Sequence, residues 1–113
     1  MEIFQFKRSS VSINGDYYQI MFDDDSDDVD APYFLVQCDF EFFSKKSYVE
    51  CNNEKLTGHY LVNSVDIDDR AFTIRYGHVD QIVVKVIYQA TNEEQDAIIT
   101  AAKTMFDRVN IIK

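Results

Sequence analysis

Six aspartates crowd into eight positions, Asp23, Asp24, Asp25, Asp27, Asp28 and Asp30, and carboxylates at alternate positions could ligate calcium. Taking Asp23, Asp25 and Asp27 as the first ligands puts Asp28 where a calcium loop needs glycine and Phe34 where it needs a bidentate acid. The pattern fails as a metal loop. What remains is a solvated charge run or a docking element for a basic partner, and this one segment carries six of the nine net negative charges.

Other chemistry is thinly supplied. His59 and His78 lie near turn signals, without the Cys, His or Asp spacing of a zinc site, and read as surface or capping residues. Cys38 and Cys51 fall outside any C-x-x-C spacing, and their strand alternation points both thiols into the core, where thiols are inert. Gly15, Gly58 and Gly77 belong to no phosphate-cradling loop. No catalytic residue, metal or cofactor is expected, and the chain is read as not an enzyme. An enzymatic alternative would rest on His59 or His78 set beside a carboxylate in a pocket.

Recognition is better represented. Tyr33, Tyr48 and Tyr60 alternate outward from apparent strands together with Asp39, Glu41, Glu50 and Asp66. Tyrosine brings a large, rigid apolar body with a polar tip, and carboxylates beside it suit a basic protein. The same charge repels phosphates, so nucleic acid is not expected as a direct partner.

These residues need a scaffold. With 113 residues, 46 % of them hydrophobic, the chain has the size and apolar content of one self-sufficient domain, residues 1–113. The opening Met-Glu-Ile-Phe lacks a cationic segment leading into an apolar run, and no stretch approaches the length of a membrane span. A cytoplasmic, monomeric protein is expected.

Val11 to Ile13, Asn14-Gly15 and Tyr17 to Phe22 read as a hairpin, with room for another strand at Glu2 to Lys7. From Tyr33 the alternation sends Phe34, Val36, Cys38, Phe40 and Phe42 inward, and Val49 and Cys51 alternate likewise. Joining these runs through Phe43 to Lys46 sets Phe40 against Val49 and Cys38 against Cys51. Leu61, Val65 and Ile67, then Phe72, Ile74 and Tyr76, point to the core. Gln81 to Gln89 is apolar on both faces and predicts a central, doubly covered strand. Thr91-Asn-Glu-Glu94 is a capping box, and it predicts a helix with Ile98, Ala101, Ala102, Met105 and Val109 on one stripe, flanked by Ile99 and Phe106. The expected fold is α+β: a single, mostly antiparallel sheet of about six to seven strands with one C-terminal amphipathic helix on one face.

Tyr33 to Gln37, Ser47 to Asn52 with Tyr48, Glu50 and Asn52, the Gly58 loop, Leu61 to Asp66, Ala71 to Tyr76 and the acidic helix after Gln81 to Tyr88 resemble the immunity protein 10 family. Members accompany bacterial polymorphic and contact-dependent growth inhibition toxins. The resemblance spans roughly residues 33–106 and implies an antitoxin that binds a cognate toxin domain and blocks its active site or substrate groove. It implies no catalytic residues. Many such toxins are nucleases with basic clefts, which suits an acidic partner. The N-terminal hairpin and the aspartate run match no motif of the family. A nucleic-acid mimic that inhibits a DNA- or RNA-handling protein, as in phage anti-defence, is the alternative.

Overall fold

The computed structural model describes residues 1–40 and 46–112. The elements run β1 (Glu2–Phe6), β2 (Arg8–Asn14), β3 (Tyr17–Asp23), β4 (Tyr33–Asp39), β5 (Ser47–Cys51), β6 (Gly58–Tyr60), β7 (Val62–Asp68), β8 (Ala71–Tyr76), β9 (Ile82–Tyr88), α1 (Asn92–Met105) and β10 (Val109–Ile111). The fold is α+β, but the strands form two five-stranded sheets in place of the expected single one. One, sheet A, has the order β1-β9-β8-β7-β10, and the other, sheet B, runs β2-β3-β4-β5-β6. Alternation misses this division because a period of two fixes which face a residue occupies, not which strand it pairs with.

The chain changes sheet at two short joints. Only Lys7 separates β1 from β2, and only Leu61 separates β6 from β7. Leu61, expected inside, sits at that crossing and is 40 % exposed. Sheet A is mixed, since β1 lies parallel to β9 and β10 parallel to β7. Sheet B is an antiparallel meander.

The expected hairpin at the start of sheet B forms, but its turn lies one residue later than Asn14-Gly15: Asn14 pairs with Tyr17 around a two-residue loop of Gly15 and Asp16. Gly15 takes φ +62, while Asp16 is not among the left-handed residues, the pattern of a type II′ turn. The pairing of β4 with β5 corrects the expected register. Val36, not Phe40, opposes Val49, and Phe34 opposes Cys51. Cys38 instead meets Ser47, with Sγ and Oγ 3.1 Å apart in the core. The slip is an even number of residues, so every side chain keeps its face and the alternation cannot detect it. Both cysteines are buried and free, as expected. Phe40 ends in a turn, 44 % exposed, with its ring edge-on to Tyr18. Phe42 and Glu41 lie outside the described residues.

The sheets meet through aromatic contacts, chiefly Phe22 against Phe72 and Tyr88 at ring distances of 5.5 and 4.8 Å. β9 is an interior strand of sheet A, between β1 and β8 and not at its centre, and Val83 and Ile87 remain half-exposed on its outer side, so the strand is covered on one face only. α1 begins at the expected box: Thr91 Oγ1 accepts from the Glu94 N–H at 3.1 Å, and the Thr91 N–H donates to Glu94 Oε1 at 2.9 Å. Its buried Ile98, Ala101, Ala102 and Met105 fill the open side of the sandwich against β2, β3 and β10. Val109 does not extend the stripe. The helix stops at Phe106, whose extended backbone leads into β10. Buried phenols are tied to the frame, with Tyr76 donating to Leu56 O at 2.8 Å and Tyr88 to Gln95 Oε1 at 2.6 Å.

Candidate interaction surface

Because α1 and sheet A occupy the inner side of sheet B, its outer side is left uncovered. Alternation along β3, β4 and β5 puts Tyr17, Gln19, Met21 and Asp23, then Tyr33, Leu35, Gln37 and Asp39, then Tyr48 and Glu50 on that side. The register sets Met21 beside Leu35, and Leu35 beside Glu50. Leu35 is only 9 % exposed although it points away from the core, so the long side chains around it pack over it. The face has an apolar centre and a polar surround.

That surround is locked by hydrogen bonds. Glu50 accepts from two phenols, Tyr33 at 2.9 Å on one oxygen and Tyr48 at 2.7 Å on the other. Tyr17 places its hydroxyl 2.8 Å from Gln19 Oε1 and 2.6 Å from Gln37 Oε1, so one proton serves two acceptors. The Tyr48 ring also leans on His59 of β6 at 4.9 Å. The Tyr48 phenol is raised above its usual range mainly by its bond to Glu50. The Tyr33 and Tyr17 phenols are raised chiefly by burial, with Glu50 and Asp39 respectively adding to the shift. All three stay protonated donors. Side chains held in this way lose little freedom when a partner docks.

The aspartate run adjoins the face through Asp23, and a shallow groove joins Met21 and Tyr33 to Asp24, Ser26 and Asp28. Several of its carboxylates have local work. Arg8 pairs with Asp23 at 2.8 Å and with Asp25 at 2.7 Å, and the Arg8 bond holds Asp23 below the usual carboxylate range. Asp24 accepts from the Lys7 N–H at 3.1 Å. Asp23 and Asp28 each cap the N–H two residues on, at 3.0 and 2.9 Å, as aspartates do in turns. Asp27 and Asp30 complete the run, both exposed. Among the described residues no three His, Cys, Asp or Glu side chains gather as a metal site.

The structure brings Tyr33, Asp39, Tyr48 and Glu50 together, with the aspartate run at one margin. It separates two residues that the sequence grouped with them. Tyr60 turns inward, its ring 4.9 Å from Tyr76, because the short β6 leads directly into the crossing at Leu61. Asp66 lies on the outer face of the other sheet, bound by Arg75 at 2.7 Å and Asn110 at 2.8 Å. Glu41 lies outside the described residues. Tyr17, Gln19, Met21, Leu35, Gln37 and His59 were missed as members of the face. The alternation of Tyr17 to Asp23 carried that signal for β3, once Ile20 and Phe22 are taken as inward.

No family model, curated protein or solved structure matches this chain. What the surface can do follows from its own chemistry. It offers a preorganised, partly apolar, acid-rimmed patch. His59 serves as a ring support for Tyr48, and His78 lies exposed in the turn after Gly77. No helix of the described chain is long and apolar enough to cross a membrane.

Proposed function

We propose that this chain is an immunity protein, an antitoxin that binds a cognate toxin domain through the outer face of sheet B and occludes its active site or substrate groove. The observation that carries the reading is Glu50 clamped between the Tyr33 and Tyr48 phenols beside the sheltered Leu35. Tyrosines fixed around an apolar centre are what a docked partner desolvates at little entropic cost. A net charge of −9 favours a basic toxin, for which nucleases are the natural class. Long-range attraction then speeds encounter, and the rigid face slows release. The resemblance to the immunity protein 10 family over residues 33–106 supports the same reading.

Co-expression with the product of the adjoining reading frame, followed by co-purification and assay of that product's toxicity, tests it. A stable complex in which toxicity disappears, and returns with Tyr48→Ala, is the expected result. An adjoining product that is non-toxic, or toxic and indifferent to this chain, overturns the reading.

A further inference from the structure

Sheet B ends on a long free strand. Among the described residues β2, seven residues long, pairs with β3 alone, whereas the opposite edge, β6, has three residues. Free edges of this length are usually blunted by lysine, proline or a bulge, and β2 has an unbroken register from Arg8 to Asn14 without lysine or proline. Asn14 and Tyr17 close a two-residue loop, so they form a hydrogen-bonded pair. Pairs alternate along an antiparallel ladder. Ser12, Ser10 and Arg8 therefore also spend their backbone groups on β3, and Ser9, Val11 and Ile13 turn theirs to the open side.

A groove of about 320 Å³ runs along that side, lined by Ser9, Ser10 and Val11 of β2 and by Glu93, Glu94, Ala97 and Ile98 of α1. Ser9 lines it with a side chain that is not satisfied: the residue is 4 % exposed, and its Oγ has no hydrogen-bond partner among the described residues. A buried hydroxyl left without a partner costs stability. A ligand polar group at this position would remove that cost.

We propose that the open edge of β2 receives an extended basic peptide segment as an added sixth strand, lying in the groove between β2 and α1. Its main chain pairs with Ser9, Val11 and Ile13. A polar atom of the segment meets Ser9 Oγ, and its Lys or Arg side chains meet Glu93 and Glu94. Charge selects a basic occupant over a second copy of the chain. Asp23, Asp24, Asp25, Glu93 and Glu94 surround the start of the strand against Lys7 and Arg8, and Arg8 is already paired with Asp23 and Asp25. The inference stands on the edge and the groove, and does not depend on the toxin reading.

The test selects a displayed library of random twelve-residue peptides on the full chain and measures the winners against variants. Val11→Pro removes an open-side N–H while leaving the ladder to β3 intact, Val11→Ala controls for the lost side chain, and Ser9→Ala removes the orphan hydroxyl. Expected are peptides alternating basic with apolar residues. Their binding should weaken about tenfold or more with Val11→Pro, and by less with Val11→Ala. Ser9→Ala should weaken binding too while leaving the melting temperature of the free chain unchanged or higher, the opposite of a structural serine. Should Val11→Pro not fold, slowed exchange of the Ser9, Val11 and Ile13 amides in the bound wild-type chain supports the proposal and unchanged exchange overturns it. It is likewise overturned by failure to enrich any peptide, by winners that tolerate both Val11→Pro and Ser9→Ala, or by winners lost with Tyr48→Ala but not with Val11→Pro. A concentration-dependent dimer abolished by Val11→Pro would replace the peptide with a second copy and so overturn the occupant proposed here.

Discussion

Asp66 and Glu50, carboxylates on the outer faces of the two sheets, are held in different ways. On sheet A, Asp66 is held by Asn110 and Arg75, which together keep its carboxyl below the usual range, and Lys85 and Thr73 stand nearby in register. Opposite charges there meet within the face and have little left for a partner. On sheet B, the hydrogen bonds that Glu50 accepts among the described residues come from neutral phenols, so its charge is retained while its neighbours are fixed. A carboxylate held by tyrosines stays available to a basic partner, and one held by arginine does not. The contrast is the ground for proposing sheet B, and not sheet A, as the recognition face, although both carry acids in the sequence.

The largest expected effect removes what both faces rest on. Phe22 is fully buried between the sheets, and Phe22→Ala should cost about 3–5 kcal/mol in chemical denaturation, since a buried aromatic leaves a cavity that the surroundings fill incompletely. A loss below about 1 kcal/mol would mean that the sheets are not packed through this ring.

Next in size is the test of the contrast itself. With a purified toxin complex, Tyr48→Ala should weaken binding by about 2–4 kcal/mol, mainly through faster dissociation. Arg75→Ala, on the other sheet, should leave dissociation unchanged and lower the stability of the free chain by no more than about 1 kcal/mol. Equal effects on dissociation would erase the distinction between the faces.

Alkaline pH probes the frame beneath both. Burial pushes the Tyr88 phenol up to about 12 and raises Tyr76 further. A folded pKa above the unfolded value of about 10 favours the fold at lower pH. That contribution is lost as pH rises from about 10 toward the folded value, by roughly 1.4 kcal/mol per pH unit for each group. Denaturant midpoints should therefore hold up to about pH 10 and fall steeply above it, with tyrosinate absorbance appearing in step with unfolding. Tyrosinate formed fully by about pH 10.5 in the folded chain would show these phenols to be accessible.

The smallest effect belongs to the aspartate run. Replacing its six aspartates with asparagine keeps side-chain oxygens for the turns and should slow association with a basic toxin by about tenfold at low salt, with little change in dissociation. An association rate indifferent to the replacement would confine these residues to loop structure.

Face assignments along the strands were legible in the sequence because burial and alternation share one period. Phe34, Val36, Val49, Val65, Ile67, Phe72 and Ile74 are all buried as read, and the capping box placed the start of α1. Pairing was not legible. An even register slip moved Cys38 from Cys51 to Ser47 without changing any face, and the end of the apolar stripe concealed β10 inside what looked like a helix. The site suffered for the same reason. Tyr33, Tyr48 and Glu50 do share one face, but Asp66 could be assigned to another sheet only once pairing was known. Ser9 carries no sequence signal at all, since its hydroxyl is unusual only for the partners it lacks.

The joints at Lys7 and Leu61 make residues 2–14 and 58–68 two nearly continuous strands, each belonging partly to one sheet and partly to the other. Neither sheet can open while the other stays shut without tearing both of these strands, so local unfolding by sheets has no route. Amides throughout the two cores should then exchange with nearly one free energy, as a single cooperative unit. A partner bound to the outer face of sheet B would slow exchange in β8, a strand it never touches.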